Sequence, residues 1–197
     1  MSRDGVLHYV KGLEVARLTP DGKVTMVPAP GLKETADRLG GLKGLAVDAS
    51  DTLFAACPSS ILKFKQEGGF VTMLHPVTVK DCDSDPPPNA PAERSPFLTG
   101  LTIGPNGVIY AAATGCRRLL RISPQGKVDV VLKAEAPWAP TGVALHGEEI
   151  YVLENTNANA DTHEWQHRVR KIARDGKVTT VLTIPRDARP GDAKKKE

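Results

Sequence analysis

Residues Gly100-Leu101-Thr102-Ile103-Gly104-Pro105-Asn106-Gly107-Val108-Ile109-Tyr110 decide the fold. A glycine opens an apolar run, Gly-Pro-Asn-Gly interrupts it, and a second β-rich run of Val, Ile and Tyr follows. Asn-Gly between two such runs is a strong hairpin signal, because both residues accept the positive φ that a type I′ turn needs. The unit occurs in two other places. Gly44-Leu45-Ala46-Val47-Asp48 leads through a turn to Leu53-Phe54-Ala55-Ala56, and Gly142-Val143-Ala144-Leu145 leads through His146-Gly147 to Ile150-Tyr151-Val152-Leu153.

A second unit alternates with the first. It reads Arg17-Leu18-Thr19-Pro20-Asp21-Gly22-Lys23-Val24-Thr25-Met26-Val27 and returns as Lys63-Phe64, a turn over 66–69, and Phe70-Val71-Thr72-Met73-Leu74. It returns again as Arg121-Ile122-Ser123-Pro124-Gln125-Gly126-Lys127-Val128-Asp129-Val130-Val131 and as Lys171-Ile172-Ala173-Arg174-Asp175-Gly176-Lys177-Val178-Thr179-Thr180-Val181. Its turn glycines lie 47, 57 and 50 residues apart (22→69, 69→126, 126→176). With the first unit supplying strands a and b and the second strands c and d, a four-stranded meander repeats at about the 40–50 residues of a propeller blade. The expected fold is all-β, a β-propeller of four-stranded antiparallel blades over 4–27, 44–74, 100–132 and 142–184, followed by a disordered basic tail over 185–197.

Asp4-Gly5-Val6-Leu7-His8 matches Asn106-Gly107-Val108-Ile109-Tyr110, which begins strand b. The first blade is therefore expected to lack its innermost strand. No Gly-apolar-apolar run follows Ile184 to replace it. Propellers usually close with four to eight blades; part of a larger ring is expected over a self-closed ring of four because of the strand edges left unpaired.

In an a-b-c-d meander the a–b and c–d turns share one rim, and the b–c and d–a connections share the other. The long segments 28–43, 75–99, 133–141 and 154–168 all fall on the second rim. Surplus loop length on one side of a rigid scaffold is how binding surfaces are commonly presented. The rim candidates are Lys43, Thr99, Thr141, Trp138, Glu154, Asn155, Asn157, Asp161, His163, Trp165 and His167. Trp138 and Trp165 can make an aromatic platform or cover a blade edge. Asn155, Asn157, Asn159 and Asp161 can ligate an ion or sugar, or serve as turn formers.

Two motifs suggest metals, and their surroundings argue against both. His163-Glu164-Trp165-Gln166-His167 fits HExxH, but that chemistry needs a helix. Here strand c begins at Arg168, and residues four apart in a strand lie about 13 Å apart. Asp81-Cys82-Asp83-Ser84-Asp85 begins like a calcium loop, yet Pro86 and Ala92 stand where Gly and Glu are required. Cys57, Cys82 and Cys116 are odd in number and widely spaced, which suits idle thiols better than a disulfide framework, with one bridge left open.

The chain has 197 residues, 5 % aromatic content and a net charge of +3. Residues 185–197 hold five basic and three acidic side chains, so the body carries only +1. A near-neutral body does not suit a nucleic acid or an anionic membrane. No run of about 18 apolar residues is present, and residues 1–10 lack the apolar stretch of a signal peptide. A soluble protein is expected, secreted or periplasmic if a signal segment lies upstream. No GxSxG, Walker or GxGxxG sequence is present.

The Gly-apolar-Ala-Val-Asp, Asn-Gly-Val-Ile-Tyr and Asp-Gly-Lys-Val units resemble NHL repeats and, more widely, the six-bladed superfamily of gluconolactonase and senescence-marker-protein relatives. The resemblance covers nearly all of 4–184. It implies a six-bladed ring and, for the lactonase branch, a divalent cation held at the channel mouth by Glu, Asn and Asp. Some of those ligands stand just before the glycine that opens strand a. Those positions here are Lys43, Thr99 and Thr141, none of which is a carboxylate or amide. The RNA-binding branch implies a basic face, which the body charge does not supply.

The expected function is therefore a binding module for a protein, peptide or small ligand, with no cofactor and no identifiable catalytic residue. The alternative is a metal-dependent lactonase or hydrolase using Ca2+ or another divalent metal, with ligands partly in blades not present here. A truncated product with no function of its own is a third reading.

Overall fold

The computed structural model describes residues 2, 4–65, 68–80, 82, 96–156 and 166–184. Blade 1 is three-stranded: β1 (Leu7–Lys11), β2 (Glu14–Leu18) and β3 (Val24–Met26). Blade 2 comprises β4 (Gly44–Val47), β5 (Leu53–Cys57), β6 (Ser60–Phe64) and β7 (Phe70–Leu74). Blade 3 comprises β8 (Leu98–Ile103), β9 (Ile109–Ala113), β10 (Arg118–Ile122) and β11 (Val128–Lys133). Blade 4 comprises β12 (Trp138–His146), β13 (Glu149–Thr156), β14 (His167–Ile172) and β15 (Val178–Ile184). Every neighbouring pair is antiparallel. This is a β-propeller of four blades, as the repeat requires.

The turns form where glycine permits them. Gly22, Gly126 and Gly176 each adopt φ near +84° between strands c and d, a region that costs L side chains strain and glycine none. Their N–H groups donate to Thr19, Ser123 and Ala173 carbonyls at 2.9 Å each, closing the same tight turn three times.

Blades stack through alternating faces. In β5 every residue is buried. Leu53, Ala55 and Cys57 pack toward blade 1 with Val15, while Phe54 and Ala56 pack toward blade 3 with Leu101, Ile109 and Ala111. A strand covered on both faces reads as a continuous apolar run, and Leu-Phe-Ala-Ala-Cys is one.

Strands a are longer than the repeat suggested. β8 begins at Leu98 and β12 at Trp138, ahead of Gly100 and Gly142. Each carries a register shift just before its glycine, so that Thr99 and Thr141 are the extra, bulged residues. Segment 28–43, expected as a loop, contains the short helix α1 (Leu32–Arg38). Leu32 and Ala36, four apart and so on one helical face, are buried in the blade 1–blade 2 core. The tail over 185–197 lies outside the described residues. Among the described residues no helix is long and apolar enough to cross a membrane.

Candidate functional site

The bulges bring three of the candidates to the axis. A Cβ added to Gly44 would lie 2.4 Å from the Thr99 carbonyl oxygen and 3.3 Å from Gly100 Cα. One added to Gly100 would lie 2.8 Å from the Thr141 carbonyl and 3.0 Å from Gly142 Cα. Each bulge pushes a carbonyl against the preceding blade, and only glycine leaves room for it. Lys43, Thr99 and Thr141, which precede those glycines, therefore stand side by side at the mouth of the axis.

Their side chains are occupied. Thr99 Oγ1 donates to the Thr141 carbonyl at 3.0 Å and lies 2.7 Å from Thr114 Oγ1. Thr114 Oγ1 donates to the Pro140 carbonyl at 2.7 Å, and Thr141 Oγ1 reaches the Leu153 carbonyl at 3.4 Å. The Lys43 ammonium sits 5.6 Å from the centre of the Phe97 ring. An ammonium and hydroxyls committed to carbonyls do not fit a divalent cation, which takes carboxylate and carbonyl oxygen. Among the described residues no group of three or more His, Cys, Asp or Glu could hold a metal ion.

Blade 4 carries the other described candidates. Trp138, Glu154, Asn155 and His167 were expected on loops, yet they lie at strand ends in β12, β13 and β14. Antiparallel register sets Glu154 opposite Arg168 and Asn155 opposite His167. Glu154 is fully buried, with Arg168 Nε donating to Oε2 and Arg170 Nη2 to Oε1, both at 2.6 Å. Charge-assisted bonds occupy both of its oxygens, so Glu154 organises its neighbours. Arg168 also stacks 4.2 Å from the Trp138 ring and reaches Glu135 at 3.4 Å. Asn155 Oδ1 lies 2.7 Å from His167 Nδ1. An amide oxygen only accepts, so Nδ1 donates in this bond.

His167 opens a strand, which separates it from any HExxH helix. Asn157, Asn159, Asp161, His163 and Trp165 lie outside the described residues, as do Asp81, Asp83 and Asp85.

Several rim features were not anticipated. Arg168 and Arg170 could have been found from their i, i+2 spacing, which puts both on one strand face opposite Glu154. Ser60 Oγ lies 2.7 Å from His75 Nδ1, but Ser60 is fully buried and cannot meet a substrate. The described start of the connection after β7 lies against blade 2, where Val77 N–H donates to the Ser59 carbonyl, and at the start of β8 Leu98 N–H donates to the Pro58 carbonyl. It is then fixed to blade 3 by a Cys82–Cys116 disulfide. That bridge corrects the expectation of three idle thiols. The connection packs Val79 and Cys82 onto the core that holds Cys116, a juxtaposition that spacing 34 apart in sequence does not reveal. Only Cys57 is free, buried beside Lys43, and burial pushes its thiol up to about 11.

The opposite rim is built of short turns. A cavity of about 750 Å³, open to solvent, lies there between Glu148, Glu149, Ala173, Arg174 and Asp175. Glu148 there is paired with Arg174 at 2.9 Å and Glu149 with Lys171 at 2.8 Å.

No family model and no curated protein matches the sequence. Solved structures do match in fold. Virginiamycin B lyase from Staphylococcus aureus superposes with a TM-score of 0.57 at 13% identity, over 91% of this chain and 52% of that one. A protein of unknown function from Bacteroides thetaiotaomicron gives 0.62 at 14% identity, over 90% and 44%. A gluconolactonase from Xanthomonas campestris gives 0.53 at 14% identity, over 74% and 48%. The chain thus shares the β-propeller fold of these lyase and gluconolactonase structures and spans about half the length of each.

Proposed function

We propose that the chain is a binding module for a protein, peptide or small ligand, with its binding face on the rim of b–c and d–a connections. The observation that carries this reading is the rim's makeup. Trp138 stacked by Arg168, the Asn155–His167 pair and the threonines of the axis all lie there, while the other rim has only short turns. An aromatic face, a guanidinium and an imidazole on one rigid platform suit an amphipathic ligand. The mouth does not fit a divalent cation, so the lactonase alternative has no described residue to support it here. Both structural neighbours with named activities are enzymes, and one of them, the S. aureus lyase, has been crystallised with quinupristin as an inactive H270A form.

The test is a thermal-shift and calorimetric screen of the chain with quinupristin, aldonolactones and proline-rich peptides. It is repeated on Trp138→Ala and His167→Ala. A ligand whose affinity drops about tenfold or more in either variant supports the rim. Binding unchanged in both variants overturns it. One equivalent of bound calcium or zinc in metal analysis replaces it with the lactonase reading.

A further inference from the structure

One backbone junction ties the connection after β7 to the mouth of the axis. Cys116 ends the short turn Thr114–Cys116, and its disulfide partner Cys82 lies on that connection. Val77 and Val79 of the connection pack on the core that holds Cys116. The turn grips the start of β8. Thr114 N–H donates to the Phe97 carbonyl at 3.2 Å and Gly115 N–H to the Pro96 carbonyl at 3.0 Å. Thr114 Oγ1 adds Thr99 and the Pro140 carbonyl of blade 4. The Phe97 ring carries the Lys43 ammonium.

The junction is strained. Four non-glycine residues among those described adopt positive φ: Asp51, Phe97, Asn106 and Arg117. Asp and Asn tolerate that region through their short polar side chains. Phe97, at +47°, and Arg117, at +50°, are bulky, and both lie in the junction. Bulky residues persist there only where surrounding contacts over-determine them, and such positions gather at clamps and switches. The disulfide is the covalent contact next to Arg117 and one hydrogen-bonded turn from Phe97. Cys116 is 1% exposed and Cys82 only partly buried, so a thiolate reaches the bond from the Cys82 side.

We propose that the Cys82–Cys116 disulfide is a redox switch on the axis mouth. Oxidised, it holds Phe97 and Arg117 in left-handed backbone. Reduced, it lets both relax and releases Thr99 and Lys43. The reductant is a dithiol. One of its thiolates attacks Cys82 Sγ, the S–S bond breaks, and Cys116 leaves as a thiolate that takes up a proton. The second thiol then displaces Cys82 from the mixed disulfide. The cysteine pair gains two electrons and two protons, and the dithiol ends as its own disulfide. As regulation of the rim, the switch rests on the binding face proposed above; its test reads the backbone and needs no ligand.

The experiment compares amide hydrogen exchange, by NMR, of the 197-residue protein in oxidised and in reduced dithiothreitol. Exchange at Thr114, Gly115 and Arg117 should be at least about tenfold faster after reduction, with β5 and β13 still protected. Arg117→Asn, which suits the left-handed region, should shrink that difference. Cys82→Ser combined with Cys116→Ser should exchange like the reduced protein and ignore the dithiol. Unchanged exchange at the junction, or an undiminished difference in Arg117→Asn, overturns the proposal. So does loss of protection across β5 and β13 as well, which makes the bridge a staple of the whole fold, or a dithiol effect that survives in the serine variant. A junction that opens as expected in a protein whose rim binds nothing strikes the rim reading alone.

Discussion

In β9 of blade 3 four of five residues are buried, while in β13 of blade 4 burial is broken by partly and fully exposed positions. Both are b strands with the same neighbours within the sheet. The difference lies in what covers them. Blade 3 has blade 2 against Ile109, Ala111 and Ala113. Its other face carries Leu119, paired with Ala112 and packed with Val152 and Ile172 of blade 4. Among the described residues only that one face of blade 4 is covered by another blade. Its other face leaves Leu153 at 39% and Leu182 at 51% exposure. Blade 4 carries ion pairs on both faces: Glu154 with Arg168 and Arg170 on the covered face beside Val152 and Ile172, Glu149 with Lys171 on the other, and Glu148 with Arg174 at the turns.

The largest effect expected from breaking that contrast is at Glu154. Glu154→Ala leaves the nearly buried Arg170 without its anion and Arg168 with only the exposed Glu135. The loss should be about 4 kcal/mol in urea unfolding. A triple change to Leu at Glu154 and Met at Arg168 and Arg170 should recover most of it, since apolar replacement of a whole buried cluster is often neutral. Failure of Glu154→Ala to lower the midpoint would mean that the cluster does not hold blade 4. Blade 3 has a covalent counterpart. Removing its disulfide with Cys82→Ser and Cys116→Ser frees a closed loop with a sequence separation of 34. A loop of that length corresponds to about 3–4 kcal/mol of chain entropy. The same loss should follow from reductant on the unmodified protein, and no change with reductant would contradict the bridge.

Glycines on the axis give a sharper comparison. Gly44→Ala drives a methyl to 2.4 Å from a backbone carbonyl, and Gly142→Ala meets nothing nearer than Leu153 Cβ at 3.5 Å. The first should cost about 1–3 kcal/mol by forcing blades 2 and 3 apart. The second should fall within about 0.5 kcal/mol of the parent, as a surface change does. Equal effects in thermal unfolding would show that the close approach at Gly44 relaxes freely.

The strands were legible because their causes are local. Asn106-Gly107 and the Asp-Gly-Lys turns carry φ information in the residue types themselves, and the repeat period then fixed blade number and the missing inner strand. The bulges at Thr99 and Thr141 were not legible, because they arise from the fit of one blade against the next. The disulfide was hidden for the same reason: Cys82 sits in a polar, proline-rich insertion, and only the fold brings it to Cys116. At the rim, Glu154, Asn155 and His167 could be named from composition as polar residues near a long connection. Their pairing needed the register of β13 on β14, which places Arg168 opposite Glu154 and Asn155 opposite His167. Helix α1 was missed because a seven-residue helix is held by Leu32 and Ala36 docking on blades 1 and 2, not by propensity.

The smallest expected effect separates the charged pairs of the two blades by pH. Lys171 and Tyr151 bonded to Glu149 hold its carboxyl below the ordinary 4.5, and the same contact raises Lys171 above 10.5. In blade 3, Arg121 and Lys127 hold Asp129 below 3.8. A carboxyl depressed in the folded state stabilises above its unfolded value and loses that contribution as pH falls through the folded one. The raised lysine stabilises below its unfolded value and loses it as pH rises. The Glu149 pair should therefore contribute steadily between 4.5 and 10.5 and fade outside that window. Comparing urea midpoints, the gap between the parent and Glu149→Gln should begin to close below pH 4.5, and the gap for Asp129→Asn only below 3.8. Both groups are solvent-exposed, so added salt should shrink both gaps. A gap for Glu149→Gln that persists undiminished to lower pH than the Asp129→Asn gap would reverse the assignment of these contacts.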